Sequence, residues 1–511
     1  MATTDDGSLA ALSARHGPRY RWMLLFAVMV GTMASVMSST IVNVAIPDLS
    51  LHFTLGQDRA QWVTSGFMAA MTVSMLTTPW MLGRFGYRRT YAACMLLLLG
   101  GGVVGGLAQA YPLVLAARVA EGLAAGVVQP IPAIIILRAF GPDERGRASG
   151  IFGMSVVLAP AIGPSVGGLL VDGFGWRSIF FMVVPFCLAS LWLGQRYVPV
   201  TAPGGVAAGR DAGSLDVKGL VLVTLGSLGL INALVHVRQG GPAEAVVLGG
   251  MALACLVVFV WWQHRLAHRA NAHQGSVQPL IPPALFAVRA FAMGNVVAVI
   301  YGTALFGSTY LIPVYLQMGL GMSASSVGVI LLPAGLVLAL TLALAGRHAD
   351  HKPERMVTLG LLLLALSFAL MITLHPPANV WVVTELVAWS VLGRVGLGMI
   401  LSSLNLGALR DLHKGDIPAG ASVISFTRML GGAVGVSLCG IVLEWRLAAH
   451  GATLVAPAVS DAAGSGRMAA FHETFLMLAV LCGMAMLAAH RMRAPHKHGD
   501  VSGSGSGSSR G

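Results

Sequence analysis

The stretch "ARVAEGLAAG", Ala117–Gly126, lies inside a long apolar run and yet carries two full charges, Arg118 and Glu121. A charge at bilayer mid-depth costs about 2.5 to 3.5 kcal/mol even on the lenient insertion scale, so a membrane span keeps one only in a cavity or beside a partner. Three residues apart, Arg118 and Glu121 share a helical face and are natural partners for each other. Two effects oppose each other on Glu121: desolvation favours the neutral acid, while Arg118 favours the carboxylate. A group so balanced can exchange its proton as water comes and goes; a permanent structural ion pair is the other reading of the same spacing. The pattern also recurs, because "GRVGLGMILS", Gly393–Ser402, repeats Arg-Val-x-x-Gly.

The rest of the chain has the composition of a membrane protein. Of its 511 residues 56% are hydrophobic and 10% charged, with a mean hydropathy of +0.77, against a soluble norm of roughly 45 to 50% apolar and about 25% charged. A hydrocarbon core of ~30 Å takes about 20 apolar residues per helix. Fourteen spans can be read, at 22–46, 61–82, 90–110, 113–137, 148–171, 178–195, 217–236, 245–263, 290–314, 324–345, 356–374, 380–406, 419–443 and 470–490. No soluble domain fits between them. The first begins at Trp22, with no small-residue cleavage site behind it, and is expected to remain as a helix.

Charge then sets the orientation. With a cytoplasmic N-terminus, 24 of the 32 basic residues fall in inside segments, and only Arg59, Arg177, Arg238, Arg446 and Arg467 fall outside. The positive-inside rule therefore expects both termini in the cytoplasm, and it accounts for the +12 charge without nucleic acid. Three arginines, Arg118, Arg394 and Arg428, fall within spans. The five cysteines lie in apolar runs with no metal-ligand spacing, as expected of packing residues.

Two further pairs of segments resemble each other: "APAIGPSVGG" (159–168) with "RMLGGAVGVS" (428–437), and "LGRFGYRR" (82–89) with "AGRHADHKPER" (345–355). All three pairs share an offset of roughly 265 to 275 residues, as two six-helix bundles would give around an inserted pair, and such repeats place a substrate site between the halves near the midplane. The expected organisation is an all-α integral membrane chain. A cytoplasmic tail (1–21) precedes a six-helix bundle (22–197) and a linker region with two inserted helices (198–289). A second bundle (290–490) and a flexible tail (491–511) follow.

Polar groups inside spans mark the candidate cavity: Ser38, Ser39, Asn43, Trp62, Gln129, Asn295, Tyr301, Tyr310, Gln317, Arg394 and Asn405. A mostly apolar cavity with a few polar contacts suits a lipophilic ligand, although each alone also reads as a packing residue. Glu385, at the head of the twelfth span, joins Arg118 and Glu121 as a proton-coupling candidate. Gly163 and Gly167 let the fifth span approach a neighbour closely, and Pro164 removes a backbone donor. Enzyme signatures are missing: no Gly-Lys dipeptide for a phosphate loop, no HExxH, no catalytic cluster, and no cofactor or metal is expected.

The series "TIVNVAIP", "QWVTSGFM", "LAARVAEGLAAG", "DERGRASG", "LAPAIGPSVGG", "WRSIFF", "PVYLQ", "GASVISFTRMLGGAVGV" and "AFHETF", in this order over nearly the whole chain, resembles the major facilitator superfamily, specifically its fourteen-helix drug:proton antiporters of the EmrB/QacA type. The resemblance implies a major facilitator fold and export of small hydrophobic or amphipathic compounds in exchange for protons, within membrane lipid. It also implies a bacterial inner membrane and allows a periplasmic adaptor protein. By the same resemblance Arg118 matches an arginine linked to proton transfer, and Gly163, Pro164, Gly167 and Gly168 match the antiporter motif. Arg84, Gly86, Arg88 and Arg89 match part of a cytoplasmic motif that latches the halves, with Asp350 in its second copy. Two departures stand out. Gly83 and Pro79 replace the aspartate and leading glycine of that motif, and Ser38 stands where relatives place an aspartate. A hydroxyl cannot cycle a proton near neutral pH, so Glu121, at a position where the family commonly has glutamine, is the candidate replacement. An uncoupled or differently coupled exporter or facilitator of lipids or a hydrophobic metabolite is the alternative reading.

Overall fold

A computed structural model describes residues 8–55, 57–202, 208–209, 213–238, 241–271, 277–322, 324–348, 352–375, 380–452 and 461–492. Within them run α1 (Leu9–His16), α2 (Tyr20–Ile41), α3 (Ile46–His52), α4 (Gln57–Ser74), α5 (Thr78–Leu107), α6 (Tyr111–Val128), α7 (Ile131–Ala139), α8 (Pro142–Phe174) and α9 (Ser178–Tyr197). Then come α10 (Val217–Arg238), α11 (Pro242–Asn271), α12 (Arg289–Val314), α13 (Ala324–His348), α14 (Pro353–Leu370), α15 (Val380–Leu409), α16 (Ile417–Ala449) and α17 (Asp461–Arg491). No strand forms among the described residues beyond one isolated bridge, Ser214 to Val277. Helix throughout is what hydrocarbon demands, since each backbone polar group must find its partner inside the segment.

Twelve helical stretches among the described residues are long and apolar enough to cross a membrane. Their outward faces confirm the solvent. On α13, Ala334, Leu338 and Leu342 are buried at four-residue spacing, while Leu332, Leu336 and Leu340, half a turn away, are each more than half exposed. Both faces are apolar; one packs on protein and the other meets lipid.

The helices gather into two bundles. In the first, α2 packs on α8 and α9, α4 on α6, and α5 on α6 and α9; in the second, α12 packs on α16, α15 and α17, and α14 on α15 and α17. Between them α10 and α11 form a hairpin, with α10 leaning on α16. Its entrance is held by Asp216, which caps α10 through the Gly219 amide (2.8 Å) and accepts from Trp262 Nε1 (2.9 Å) and Gln263 Nε2 (2.7 Å) of α11.

Three local features sharpen the sequence reading. The N-terminal tail is not featureless: α1 folds back, burying Leu12, and His16 stacks on Tyr20. The fourth expected span divides at Gln129 and Pro130 into α6 and α7. The hinge at 83–88 is set by Gly86, at φ 77° and ψ 173°, a conformation open to glycine. There the Tyr87 and Arg88 amides donate to the Thr201 and Pro199 carbonyls (3.1 and 3.0 Å), and a Cβ on Gly86 would collide with the Val200 carbonyl.

The halves meet at the end carrying the arginine-rich hinges. Arg138 Nη2 donates to the Lys414 carbonyl, and Ser149 Oγ to the Ser402 carbonyl (3.1 Å). Helices α8 and α13 touch backbone to backbone: a Cβ on Gly346 would sit 2.7 Å from the Gly150 Cα, and Gly153 faces the Leu342 side chain at 3.0 Å. Small residues allow this approach.

Candidate functional site

The charged stretch on α6 is seated by its own glycines. Gly122 presses against the Phe67 carbonyl of α4, and Gly126, one turn on, against the Met71 carbonyl. That places Phe67 beneath Arg118, the guanidinium 4.2 Å from the ring centroid, and Val63 O within 3.3 Å of Arg118 Nε. From α2, Ser38 completes the arrangement. Arg118 Nη1 donates to Ser38 Oγ (2.7 Å) and to Glu121 Oε2 (2.5 Å), and Ser38 Oγ donates in turn to Glu121 Oε2 (3.1 Å). The result is a closed three-membered network, with Arg118 and Glu121 each 1% exposed or less. On its far side Glu121 fills a notch in α5, where a Cβ on Gly101 would come within 2.5 Å of Glu121 Cγ. Glu121 Oε1 and Arg118 Nη2 find no hydrogen-bond partner among the described residues. Each charge is desolvated and persists because the other neutralises it, so removing either leaves an uncompensated buried charge.

The remaining sequence candidates divide. Ser39 is buried and turned to the Val36 carbonyl (2.7 Å). Asn43, past the end of α2, is exposed and accepts from Thr64 Oγ1 (2.9 Å), next to Trp62, which is about half exposed. Asn295 is buried and accepts from Thr427 Oγ1 (3.0 Å), tying α12 to α16. Tyr301 is fully buried on α12, where both Arg394 and Arg428 act on it electrostatically. Gln129, Tyr310, Arg394 and Asn405 are half-buried, and Gln317 is exposed in the π-turn after α12. Glu385 is exposed at the head of α15 and takes no part in the Arg118 network, because its helix belongs to the other bundle. Glu473 is committed to a pair with Arg446, flanked by His450, at the end away from the arginine-rich hinges.

Against known proteins, residues 28–436 match the model of the Major Facilitator Superfamily. The chain belongs to that superfamily. This facilitator is 30% identical over 468 residues to the "Multidrug resistance protein B homolog" of Mycobacterium tuberculosis (strain H37Rv), covering 89% of this chain and 83% of that one. It is 29% identical over 454 residues to the "Tetracenomycin C resistance and export protein" of Streptomyces glaucescens, covering 87% and 80%. Among solved structures the proton:xylose symporter XylE aligns with a TM-score of 0.62 at 12% identity over 92% of this chain and 94% of that one, a likeness of fold.

In this membrane-spanning facilitator the motif residues have specific neighbours. Gly163 and Gly167 of α8 face Thr40 Oγ1 and Ile41 of α2, at 2.9 and 2.7 Å from where a Cβ would stand, while Gly168 faces open space. They bind α8 to the polar end of α2. The contact across the halves is made instead by Gly150 and Gly346, which the expectations for the motif did not name. Their signal was present, since a glycine stood near the arginine-rich end of each helix of a repeat. Arg88 corrects the latch: its Nε donates to the Val198 carbonyl (2.8 Å), within its own half. Arg84 is half-buried and Arg89 exposed. Asp350 and the side chain of Pro164 lie outside the described residues. Among those residues no three His, Cys, Asp or Glu side chains converge as metal ligands.

Proposed function

We propose that this facilitator is a secondary multidrug exporter that moves hydrophobic or amphipathic compounds out of a bacterial cell by alternating access, in exchange for protons carried on Glu121. The observation that carries this reading is the Ser38–Arg118–Glu121 network, in which Oε2 takes both hydrogen bonds and Oε1 takes none. A proton added at Oε1 leaves the geometry at Oε2 intact. Thr64, half-buried beside Val63 and bonded to the exposed Asn43, brings accessible surface within one residue of the carbonyl that holds Arg118. Closure between Gly150 and Gly346 then corresponds to the outward-open state, and opening there would expose the acid to the other side. Names of relatives that refer to multidrug resistance and to export support the substrate class.

The proposal includes fourteen crossings with both termini cytoplasmic and the domain limits 1–21, 22–197, 198–289, 290–490 and 491–511. Two observations support the count. The apolar stretch Trp62–Leu107 has 46 residues and breaks at Gly86; at about 1.5 Å per residue it is more than twice the ~30 Å hydrocarbon thickness. The 33-residue α8, not among the twelve stretches, packs inside the first bundle against α2. Protons, membrane lipid and a periplasmic adaptor belong to the same reading.

The test uses protein in proteoliposomes with a pH-sensitive dye inside. Adding substrate should drive proton movement in the native protein and at most about a tenth as much in Glu121→Gln, the loss general acid–base groups commonly give or exceed. Undiminished substrate-driven proton movement would sink the carrier role. Ser38 favours one competitor, an uncoupled facilitator with a permanent Arg118–Glu121 pair, for which substrate flux would be indifferent to a pH gradient.

A further inference from the structure

The two halves are unequal in charge at their centre. In the first half Arg118 has Glu121 three residues on; in the repeated segment of the second, Arg394 has Leu397 at that place, itself buried. A second arginine, Arg428, comes from α16. Neither forms an ion pair among the described residues. Acids on the helices around them are few: α12 has none, α15 only Glu385, nine residues or ~13 Å away along the helix, and α16 only Glu444, farther still.

These charges cannot escape to a headgroup region. Arg394 lies fifteen residues from the basic end of α15, Arg428 eleven from that of α16, and Tyr301 twelve from that of α12. That is roughly 17 to 22 Å deep in each case, beyond the reach of a snorkelling side chain. Both arginines are half-buried, neither sealed in packing nor on the surface, and both act electrostatically on the buried Tyr301. The backbone beneath them is held: Gly302 of α12 packs directly on the Arg428 carbonyl, and Thr427 is bonded to Asn295. Two uncompensated positive charges facing accessible space at membrane mid-depth mark a ligand or substrate path, and guanidinium groups suit carboxylate and phosphate oxygens geometrically.

We propose that Arg394 and Arg428, with Tyr301 beside them, bind the anionic group of an amphipathic substrate, a carboxylate or phosphate on an apolar body. This names the substrate class of the exporter proposed above and rests on that reading. An anion leaving a negative interior is driven by the membrane potential, so the same site suits outward transport whether or not protons are exchanged.

The experiment uses the full-length protein in nanodiscs of zwitterionic lipid and three pyrene probes that share one apolar body: pyrenebutyrate, pyrenebutanol and a pyrenebutyl-trimethylammonium. The native protein should bind the acid at least about tenfold more tightly than the cation, as loss of one charge-assisted hydrogen bond implies. Arg394→Gln and Arg428→Gln should each weaken the acid about tenfold while the alcohol stays within about twofold, which also reports an intact fold; Arg→Lys should keep part of the preference. Equal binding of the three probes by native protein, or equal loss of all three in the variants, overturns the proposal. An acidic phospholipid that displaces pyrenebutyrate identifies a lipid headgroup as the anion, and failure to displace it identifies a free acidic amphiphile. Proteoliposome flux separates the two readings: acid-selective binding without transport of any probe removes the exporter reading and leaves the anion site standing.

Discussion

At the scale of single residues, the Ser38–Arg118–Glu121 network concentrates the risk and the proposed proton exchange in three side chains. Arg118→Ala strands Glu121 in a buried site, and truncating one partner of such a pair costs about 3 to 5 kcal/mol. The expected result is a large fall in thermal unfolding temperature in detergent, with part of the loss recovered in the double variant Arg118→Ala/Glu121→Gln. Full additivity of the two substitutions would contradict a shared network. Ser38 is a hydrogen-bonding bridge that does not titrate near neutral pH, so Ser38→Ala should cost only about 1 to 2 kcal/mol. Moving the acid is more informative. Ser38 Oγ lies 2.7 Å from Arg118 Nη1, so Ser38→Asp/Glu121→Gln puts one carboxylate back beside the arginine from α2. Substrate-driven proton movement should return toward the native level in that double variant, and a rate no higher than that of Glu121→Gln alone would refute exchange of the acid between the two positions.

At the scale of elements, the proposed alternating access turns on the glycine contact between α8 and α13. Gly346→Val forces atoms into the Gly150 backbone, and overpacking costs ~1 to 3 kcal/mol, enough to move a two-state equilibrium roughly 5- to 150-fold. We expect the basic end to open, read as faster thiol labelling of a cysteine placed at Ser402, and substrate efflux to fall. Gly168→Ala is the control: it faces open space and should leave both measurements unchanged. Gly163 and Gly167 behave differently, because their neighbour is α2. Bulk at those positions should disturb the Ser38 end of the first helix and leave the closure between halves in place.

At the scale of the whole molecule, topology and conformational state can be tested together. Cys94, Cys187, Cys439 and Cys482 are buried and Cys255 is half-buried, so new cysteines can be read against a quiet background once Cys255 is replaced by Ser. A membrane-impermeant thiol reagent applied to the periplasmic face should label cysteines placed at Arg177 and Thr64, and should not reach one placed at Lys414 or Arg89. Labelling of the Arg89 position from outside would reverse the proposed orientation.

How much of this was legible in the sequence follows from the reach of each signal. The all-helical membrane class came from composition alone, because ~30 Å of hydrocarbon imposes long apolar runs that nothing else produces. The two-bundle plan came from three pairs of similar segments in register at one offset, Arg-Val-x-x-Gly at 118 and 394 among them, and the Arg118–Glu121 pair from three-residue spacing, which is helix geometry read directly. Other features needed the fold, because they join segments far apart in the chain. Ser38 reads as a missing acid in the sequence; only the packing of α2 on α6 makes it the hydroxyl that bridges Arg118 and Glu121. Arg88 reads as a latch until the peptide after α9 is found against it, and Gly150 reads as one small residue among many until Gly346 stands opposite. Local periodicity and charge determined what the chain is made of and where it lies. Which charges are neutralised and which stand open at the centre was decided by tertiary contacts, since a charge in a membrane takes its character from whatever the fold brings beside it.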